Sequence, residues 1–332
     1  MIAEISANHG GSIEKAKKSI KAAKEAGANA VKIQSYTPDT MTLNSSKPDF
    51  KIKKGLWKNY NLYQLYKEAY TPFEWHSNLF KYAKELEITI FSTPFDETAV
   101  DLLTKLNTPA FKIASFELTD LPLIKYVAKQ NKPIFISTGM ASIEEINDAI
   151  EVCKLQDNKD IILFHCISNY PSKVEEANLN NIKFLSKYFS IDVGLSDHTI
   201  DDLASTLAIS MGACAIEKHF KLDVKENGPD SSFSLLPNQF SKLVKTCNTS
   251  FLALGSREKF NRPKSEENNK IFRRSLYFIK DLKKGDVITE KDIRRVRPGY
   301  GIEPKYFEEI IGKRLADNVE YGDPVTWNKL IK

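Results

Sequence analysis

Two lysines and two histidines occupy positions from which this chain could do chemistry. Lys32 falls in the apolar run Ala30–Ile33 and Lys112 in the run Phe111–Ala114. A lysine inside a strand-like run needs a partner, because burying an unpaired ammonium is costly. Hydroxyl-bearing residues follow at comparable places: Thr93, Ser115, Ser137, Ser168 and Ser196. Ammonium charge with hydroxyl and amide donors suits a phosphate. The alternative is two ordinary surface lysines. His198 and His219 stand at the ends of two consecutive runs, Asp192–Leu195 and Ala215–His219. Neighbouring strands lie ~4.8 Å apart, so two imidazoles at adjacent strand ends can share one divalent ion. Carboxylate, water or substrate oxygen would complete the shell, and Mn²⁺, Mg²⁺ or Zn²⁺ would each suit it. The alternative is a pair of hydrogen-bonded structural histidines.

Other polar residues are less directive. His9 and His165 also end strands, with no separate reason to name either a ligand. His76 is expected on a helix in a structural role. Glu217 and Asp197 either orient the imidazoles or are plain structural polar residues. Cys166 and Cys214 read as small buried apolar residues rather than nucleophiles.

The elements that must hold these residues repeat in a simple order. Eight β-type runs precede residue 255: Ile2–Ser6, Ala30–Ile33, Thr89–Ser92, Phe111–Ala114, Ile134–Ser137, Ile161–His165, Asp192–Leu195 and Ala215–His219. Helical patterns lie between most of them. Ser12 is a candidate N-cap for the stripe Ala16, Ile20, Ala23 and Ala26, and Ser142 with Glu145 has capping-box spacing. Eight such units in series predict an α/β fold, a (β/α)8 TIM barrel. A doubly wound open sheet is the alternative, but no G-x-G-x-x-G follows an early strand. In a barrel, the polar strand ends would gather at the C-terminal face. The connection from Gln34 to about Tyr70 is unusually long and is expected on that same face.

Composition agrees with such an enzyme. The chain has 332 residues, 42% hydrophobic and 27% charged, which argues against disorder. No apolar run reaches the roughly 18 residues of a membrane span. Four isolated cysteines are no disulfide scaffold and point to a reducing cytoplasm. The Met1–Ile5 start is strand-like and does not resemble a secretory signal. A net charge of +5, with acidic residues mixed throughout, implies no nucleic-acid partner. The expected organisation is a catalytic barrel over 1–256, a polar linker over 257–272 and a small module over 273–332.

At the strand ends the sequence resembles the sialic acid synthase family. The resemblance rests on Glu4-Ile5-Ser6-Ala7-Asn8-His9, Lys32-Ile33-Gln34, Ser92-Thr93-Pro94-Phe95 and Lys112-Ile113-Ala114-Ser115. It continues through Ser137-Thr138-Gly139-Met140, Gly194-Leu195-Ser196-Asp197-His198-Thr199 and Glu217-Lys218-His219-Phe220. Arg273-Arg274-Ser275-Leu276, Lys284-Gly285 and Arg297-Pro298-Gly299 look like that family's antifreeze-like (SAF, β-clip) domain. Within the family, Gln34 to Asp39 through Leu43-Asn44-Ser45, then Gly55-Leu56-Trp57, Leu62-Tyr63 and Thr71 to His76, look most like the pseudaminic acid synthase branch.

The resemblance implies condensation of phosphoenolpyruvate with an open-chain N-acylated deoxyhexose and water, giving a nine-carbon keto acid and phosphate. For that branch the sugar is 2,4-diacetamido-2,4,6-trideoxy-L-altrose; N-acetylneuraminate or legionaminate synthesis from another hexosamine is the alternative. By resemblance, Lys32, Thr93, Lys112, Ser115, Ser137, Ser168 and Ser196 would hold phosphoenolpyruvate. Ser168 departs from the asparagine of sialic acid synthases. His198 and His219 would hold a divalent metal, usually Mn²⁺, with Mg²⁺ or others possible. Gln34, Glu117, Tyr170 and Asp230 would lie near the sugar, and Glu4 or Asp230 would transfer protons or orient water. Arg297 would reach the sugar of a partner subunit in a domain-exchanged homodimer. Phe233 is a candidate for favouring a sugar methyl over a hydroxyl.

Overall fold

The eight apolar runs pair in chain order. In the computed structural model, which describes residues 1–256, 260 and 262–331, they form one closed parallel barrel. Its strands are β1 (Ile2–Glu4), β2 (Ala30–Ser35), β3 (Thr89–Pro94), β4 (Phe111–Ile113), β5 (Ile134–Ser137), β6 (Ile161–Cys166), β7 (Val193–Asp197) and β8 (Ile216–His219). β1 closes the ring by pairing with β2 on one side and β8 on the other, with Glu4 opposite both Lys32 and His219. β1 is shorter than its apolar run, because Ser6 turns into a left-handed conformation (φ 45°) and Ser6–His9 winds into a 3₁₀ turn.

Helices connect the strands, and most of them cover the outside of the barrel. They are α1 (Ile13–Glu25), α2 (Pro38–Met41), α3 (Leu62–Ala69), α4 (Phe73–Glu85), α5 (Glu97–Lys105), α6 (Leu121–Ala128), α7 (Ile143–Lys154), α8 (Asn180–Phe189), α9 (Leu203–Met211) and α10 (Pro237–Leu254). Local chemistry starts two of them as expected. The Ser12 hydroxyl accepts from Lys15 N at 3.4 Å on α1. Ser142 and Glu145 exchange bonds of 2.8 and 3.2 Å on α7. α1 buries Ala16, Ile20 and Ala23 against the strands.

Strand alternation divides the barrel residues between two environments. Outward side chains such as Val31, Ile33, Ile113, Ile136 and Leu163 join the core beneath the helices. Inward ones form layers. The lower layer is apolar, with Ile2, Phe91 and Phe164 backed by Ala30, Phe135 and Ala215. Phe135 stacks edgewise on Phe91 and Phe164, at 5.3 and 5.6 Å between ring centres. Two residues further along each strand come Glu4, Lys32, Thr93, Ser137, Cys166 and Glu217. Gly194 makes room for this plug, since a Cβ there would meet the Ala215 carbonyl at 2.7 Å and the Phe164 ring at 3.0 Å.

The long β2-to-α4 connection is structured. It holds α2, a 3₁₀ turn at Pro48–Phe50, an antiparallel bridge between Lys51 and Asn61, and α3. Asn61 joins these pieces: its side-chain oxygen caps Tyr63 N at 3.0 Å and its amide donates to Ser45 O at 2.7 Å.

The chain divides into two units, Met1–Leu254 and Gly255–Lys332. Of the sequence-predicted linker, residues 257–259 and 261 lie outside the described residues, and Lys264–Phe272 is a 3₁₀ stretch. Beyond it, β9 (Ser275–Phe278) pairs antiparallel with β10 (Ile293–Val296), and α11 (Phe307–Ile310) follows. This unit has its own core, built around Leu276, Phe278, Ile288, Ile293, Leu315 and Val325.

The cysteines are free thiols. Cys214 is exposed, contrary to the sequence expectation, because it lies on the turn between α9 and β8 rather than inside the strand. Among the described residues, no helix is long and apolar enough to cross a membrane.

Candidate active site

The C-terminal end of the barrel opens into a cavity of about 340 Å³. Its floor is a charged cluster supplied by β1, β2, β4 and β8. Lys32 contacts Glu4 and lies 3.5 Å from Glu217, and Lys112 lies 3.8 Å from the same Glu217 oxygen. Hydroxyls surround the cluster. Lys112 Nζ donates to Ser137 at 2.5 Å, Lys32 Nζ to Thr93 at 3.2 Å, and Ser196 donates to Glu217 at 3.1 Å. Lys112 also stands 5.3 Å above the Phe164 ring.

These groups set one another's charge. Burial raises the Glu217 carboxyl, but Lys112 and Lys32 outweigh it and hold Glu217 below the ordinary range. Burial lowers Lys32, yet Glu217 and Glu4 carry it above the usual lysine value. Lys112 is lowered by burial, which Glu217 only partly offsets. Burial outweighs the Lys32 attraction at Glu4 and lifts it to about 7. Two ammonium groups therefore face one firmly ionised carboxylate and one that holds its proton near neutrality. Such a floor can accept an anion.

His198 and His219 stand beside the floor, their ring centres 5.4 Å apart. His198 Nδ1 lies 2.9 Å from the Ile167 carbonyl, a contact that directs Nδ1–H outward and frees Nε2. Cys166 Sγ is 3.8 Å from the same nitrogen. Burial lowers His198, but Cys166 and Ile167 more than compensate and raise it. Cys166 is buried, as expected; burial raises its thiol, and His198 outweighs that to bring it to about 7. His219 stays neutral, lowered well below the ordinary value by burial and then by His198 and Lys32. Its Nδ1 is buried without a hydrogen-bond partner, and Asp230 Oδ2 is 3.9 Å away. An orphaned neutral imidazole nitrogen beside a second imidazole fits a divalent cation. Among the described residues, no third histidine, cysteine or carboxylate joins them in a metal-holding group.

Two aromatic rings pack against the pair. Tyr170 is 4.2 Å from His198 and 5.1 Å from Phe233 between ring centres, and Phe233 is 4.8 Å from His219. Burial is the main cause that raises Asp230, whose Oδ2 faces Ala7 N at 3.5 Å.

Nearly every barrel residue singled out from the sequence meets here: Glu4, Lys32, Gln34, Thr93, Lys112, Ser115, Glu117, Ser137, Tyr170, Ser196, His198, His219 and Asp230 line the cavity. Ser168 is not among the lining residues. Its hydroxyl packs over Gly139, where a Cβ would come within 2.1 Å of it and 2.7 Å of Ser115 Oγ. Phe233 is also absent from the lining, being buried behind His219. Arg297 is exposed on the second unit, just after β10. His9, His76 and His165 are structural: their rings contact Thr71 at 3.2 Å, Ser35 at 2.6 Å and the Ala177 carbonyl at 2.7 Å.

Glu217 is the floor residue that sequence reasoning left undecided. The usable signal was its place two residues before His219 on one strand, which puts both on the inward face. On the cavity's apolar side, Trp57 and Leu62 fell within the sequence resemblance, while Ile52 and Leu65 carried no signal. Met41, Ile52, Trp57, Leu62 and Leu65 line it from the insertion. Trp57 donates its indole N–H to Pro229 O at 3.0 Å, which ties the insertion to the loop carrying Asp230.

A closed parallel barrel with paired lysines, carboxylates and histidines at its C-terminal end defines a barrel enzyme built for an anionic substrate. Residues 19–259 match the NeuB family and residues 273–331 match the SAF domain, and the chain belongs to the NeuB family. It is 46% identical over 326 residues to the pseudaminic acid synthase of Helicobacter pylori, covering 98% of this chain and 96% of that protein. Identity falls to 36% over 334 residues with the N,N'-diacetyllegionaminic acid synthase of Legionella pneumophila, covering 99% and 94%. The crystal structure of N-acetylneuraminic acid synthetase from Leptospira borgpetersenii, in complex with citrate, superimposes with a TM-score of 0.72 at 29% identity, covering 81% of this chain and 88% of that one.

Proposed function

We propose that this chain is a pseudaminic acid synthase, joining phosphoenolpyruvate to 2,4-diacetamido-2,4,6-trideoxy-L-altrose with water to release phosphate. The observation that carries the reading is the floor: Lys32 and Lys112 with Thr93 and Ser137, beside the histidine pair, in a chain 46% identical to a synthase of that name.

In this reading phosphoenolpyruvate lies on the floor. The two lysines take its phosphate and carboxylate charge, and Thr93, Ser115, Ser137 and Ser196 supply hydroxyl donors. Ser168 lies outside the cavity lining, beside Gly139. His198 and His219 would hold a divalent metal, Mn²⁺ first and Mg²⁺ or another ion as alternatives. When bound, the metal supplies Lewis acidity toward an aldehyde oxygen. Gln34, Glu117, Tyr170 and Asp230 orient the sugar so that its aldehyde carbon faces C3 of phosphoenolpyruvate.

The C3–C1 bond forms as the enol π pair moves to the aldehyde carbon and the aldehyde C=O π pair moves onto its oxygen, which takes up a proton, leaving an oxocarbenium centre at C2. Water adds to C2 and gives up a proton to Glu4 or Asp230. The C2–O bond to phosphate then breaks as the C2 hydroxyl gives its remaining proton to the departing phosphate, and the water oxygen remains as the ketone. A carboxyl near pH 7, such as Glu4, is suited to receive and return a proton.

Arg297 completes the sugar site of a partner subunit in a domain-exchanged homodimer, and the barrel (1–256), linker (257–272) and module (273–332) work as one cytoplasmic enzyme. The test is mass spectrometry after incubation with phosphoenolpyruvate, Mn²⁺ and each candidate hexosamine. Pseudaminic acid with stoichiometric phosphate is expected from the altrose derivative. Product only from N-acetylmannosamine or a legionaminate precursor would replace this reading. Chelator treatment should abolish turnover, and added Mn²⁺ should restore it.

A further inference from the structure

The cavity has two chemically different halves. The floor is charged and comes from the strands. One insertion adds a mostly apolar set to the lining: Met41, Ile52, Trp57, Leu62, Leu65 and Tyr66. Of these side chains only Trp57 and Tyr66 carry a hydrogen-bonding group, and the Trp57 N–H is taken by Pro229. Leu65 is buried, while Met41, Ile52 and Leu62 are half-buried at the cavity edge. Their positions are fixed. Ile52 is held in a hairpin by bonds of 2.9 Å from Ile52 N to Tyr60 O and from Asn59 N to Ile52 O. Leu62 begins α3 directly after the Asn61 cap.

Phosphoenolpyruvate is anionic at both ends, so it gains nothing from an apolar wall and belongs on the floor. The wall must therefore meet the second substrate. A hydroxyl placed against Ile52 and Leu62 would lose water without gaining a partner. A methyl in the same place would gain burial. We infer that the wall formed by Met41, Ile52, Leu62 and Leu65 reads methyl groups on the sugar and so selects a deoxygenated, N-acylated hexose over its 6-hydroxylated analogue. The assignment rests on the sugar-condensing function proposed above. It moves the specificity role from Phe233, which lies behind His219, to the insertion.

The test measures phosphate release by the full-length enzyme at saturating phosphoenolpyruvate. The sugars are 2,4-diacetamido-2,4,6-trideoxy-L-altrose and the same compound bearing a 6-hydroxyl. The wild-type kcat/KM should favour the 6-deoxy sugar by about 10–100-fold. Leu62→Asn and Ile52→Thr should each cut that preference by roughly tenfold, through loss on the deoxy sugar. Ile52 sits at the edge of the hairpin, so Ile52→Thr carries the test if Leu62→Asn fails to fold. A preference unchanged in a folded variant that still releases phosphate overturns the wall assignment alone. No phosphate from either sugar with the wild-type enzyme overturns the condensation reading and this assignment with it.

Discussion

Lys218 and Asp197 form a buried ion pair next to the two cavity-lining histidines in the chain, with Nζ 2.7 Å from Oδ2. Lys218 also donates to Thr199 O at 2.6 Å and Asp201 O at 2.9 Å. Asp197 in turn accepts from Thr199 N at 2.8 Å and Ser205 at 2.5 Å. His198 lies between Asp197 and Thr199, and His219 follows Lys218. The network thus clamps both backbones that carry the imidazoles.

Removing one member should leave the other charge buried and unpaired. Lys218→Met is expected to cost about 3–5 kcal/mol of stability by urea unfolding. Pairing it with Asp197→Asn should recover part of that loss, because no bare charge then remains. Equal destabilisation by the single and double variants would show that the pair is not coupled.

Lys112 tests the floor. Lys112→Met removes the ammonium that bonds Ser137 and lies near Glu217. The loss of kcat/KM for phosphoenolpyruvate should be about 10²–10³-fold, read from initial rates of phosphate release. A variant within twofold of wild type would mean that the anion sits elsewhere.

Glu117 makes stability depend on pH. Burial lifts its carboxyl from an ordinary 4.5 to about 7. The folded state then holds more protons than the unfolded chain between those values. Its contribution is fully present below pH 4.5 and is lost as pH rises through 7. Unfolding free energies of the wild type and Glu117→Gln should therefore diverge by roughly 1–3 kcal/mol across that window, with Gln the less pH-sensitive. Parallel curves would place Glu117 in water.

Arg297 addresses the dimer. Arg297→Ala and Lys112→Met should each be nearly inactive alone. If Arg297 serves a partner's barrel, random mixing yields heterodimers with one intact site, and activity should return to about a quarter of wild type. Mixed subunits that exchange yet stay inactive would place Arg297 with its own barrel or outside catalysis.

Much of this site was legible in the sequence. Lys32 and Lys112 stood out because an ammonium inside an apolar run is too costly to bury unless an opposite charge or a ligand meets it. His198 and His219 did so by ending consecutive strands. Ser168 and Phe233 stand outside the cavity lining, Ser168 two residues past β6 and Phe233 on the longer loop after β8, where chain position says little about which way a side chain turns. Glu217 needed the floor to be seen, since a carboxylate between two lysines is recognisable only once both lysines are in place.

The sequence by itself determined the local parts. Alternation set which strand residues face inward, capping residues set where α1 and α7 begin, and eight repeats set the barrel. Only the tertiary structure decided what meets across the ring. Closure of β1 onto β8 brings Glu4, near the chain's start, against the Lys32–Glu217 pair. Folding of the insertion brings Trp57 to Pro229, 172 positions away. Periodicity encodes each strand's two faces but not its neighbours, so contacts this distant in the chain exist only after the barrel has closed.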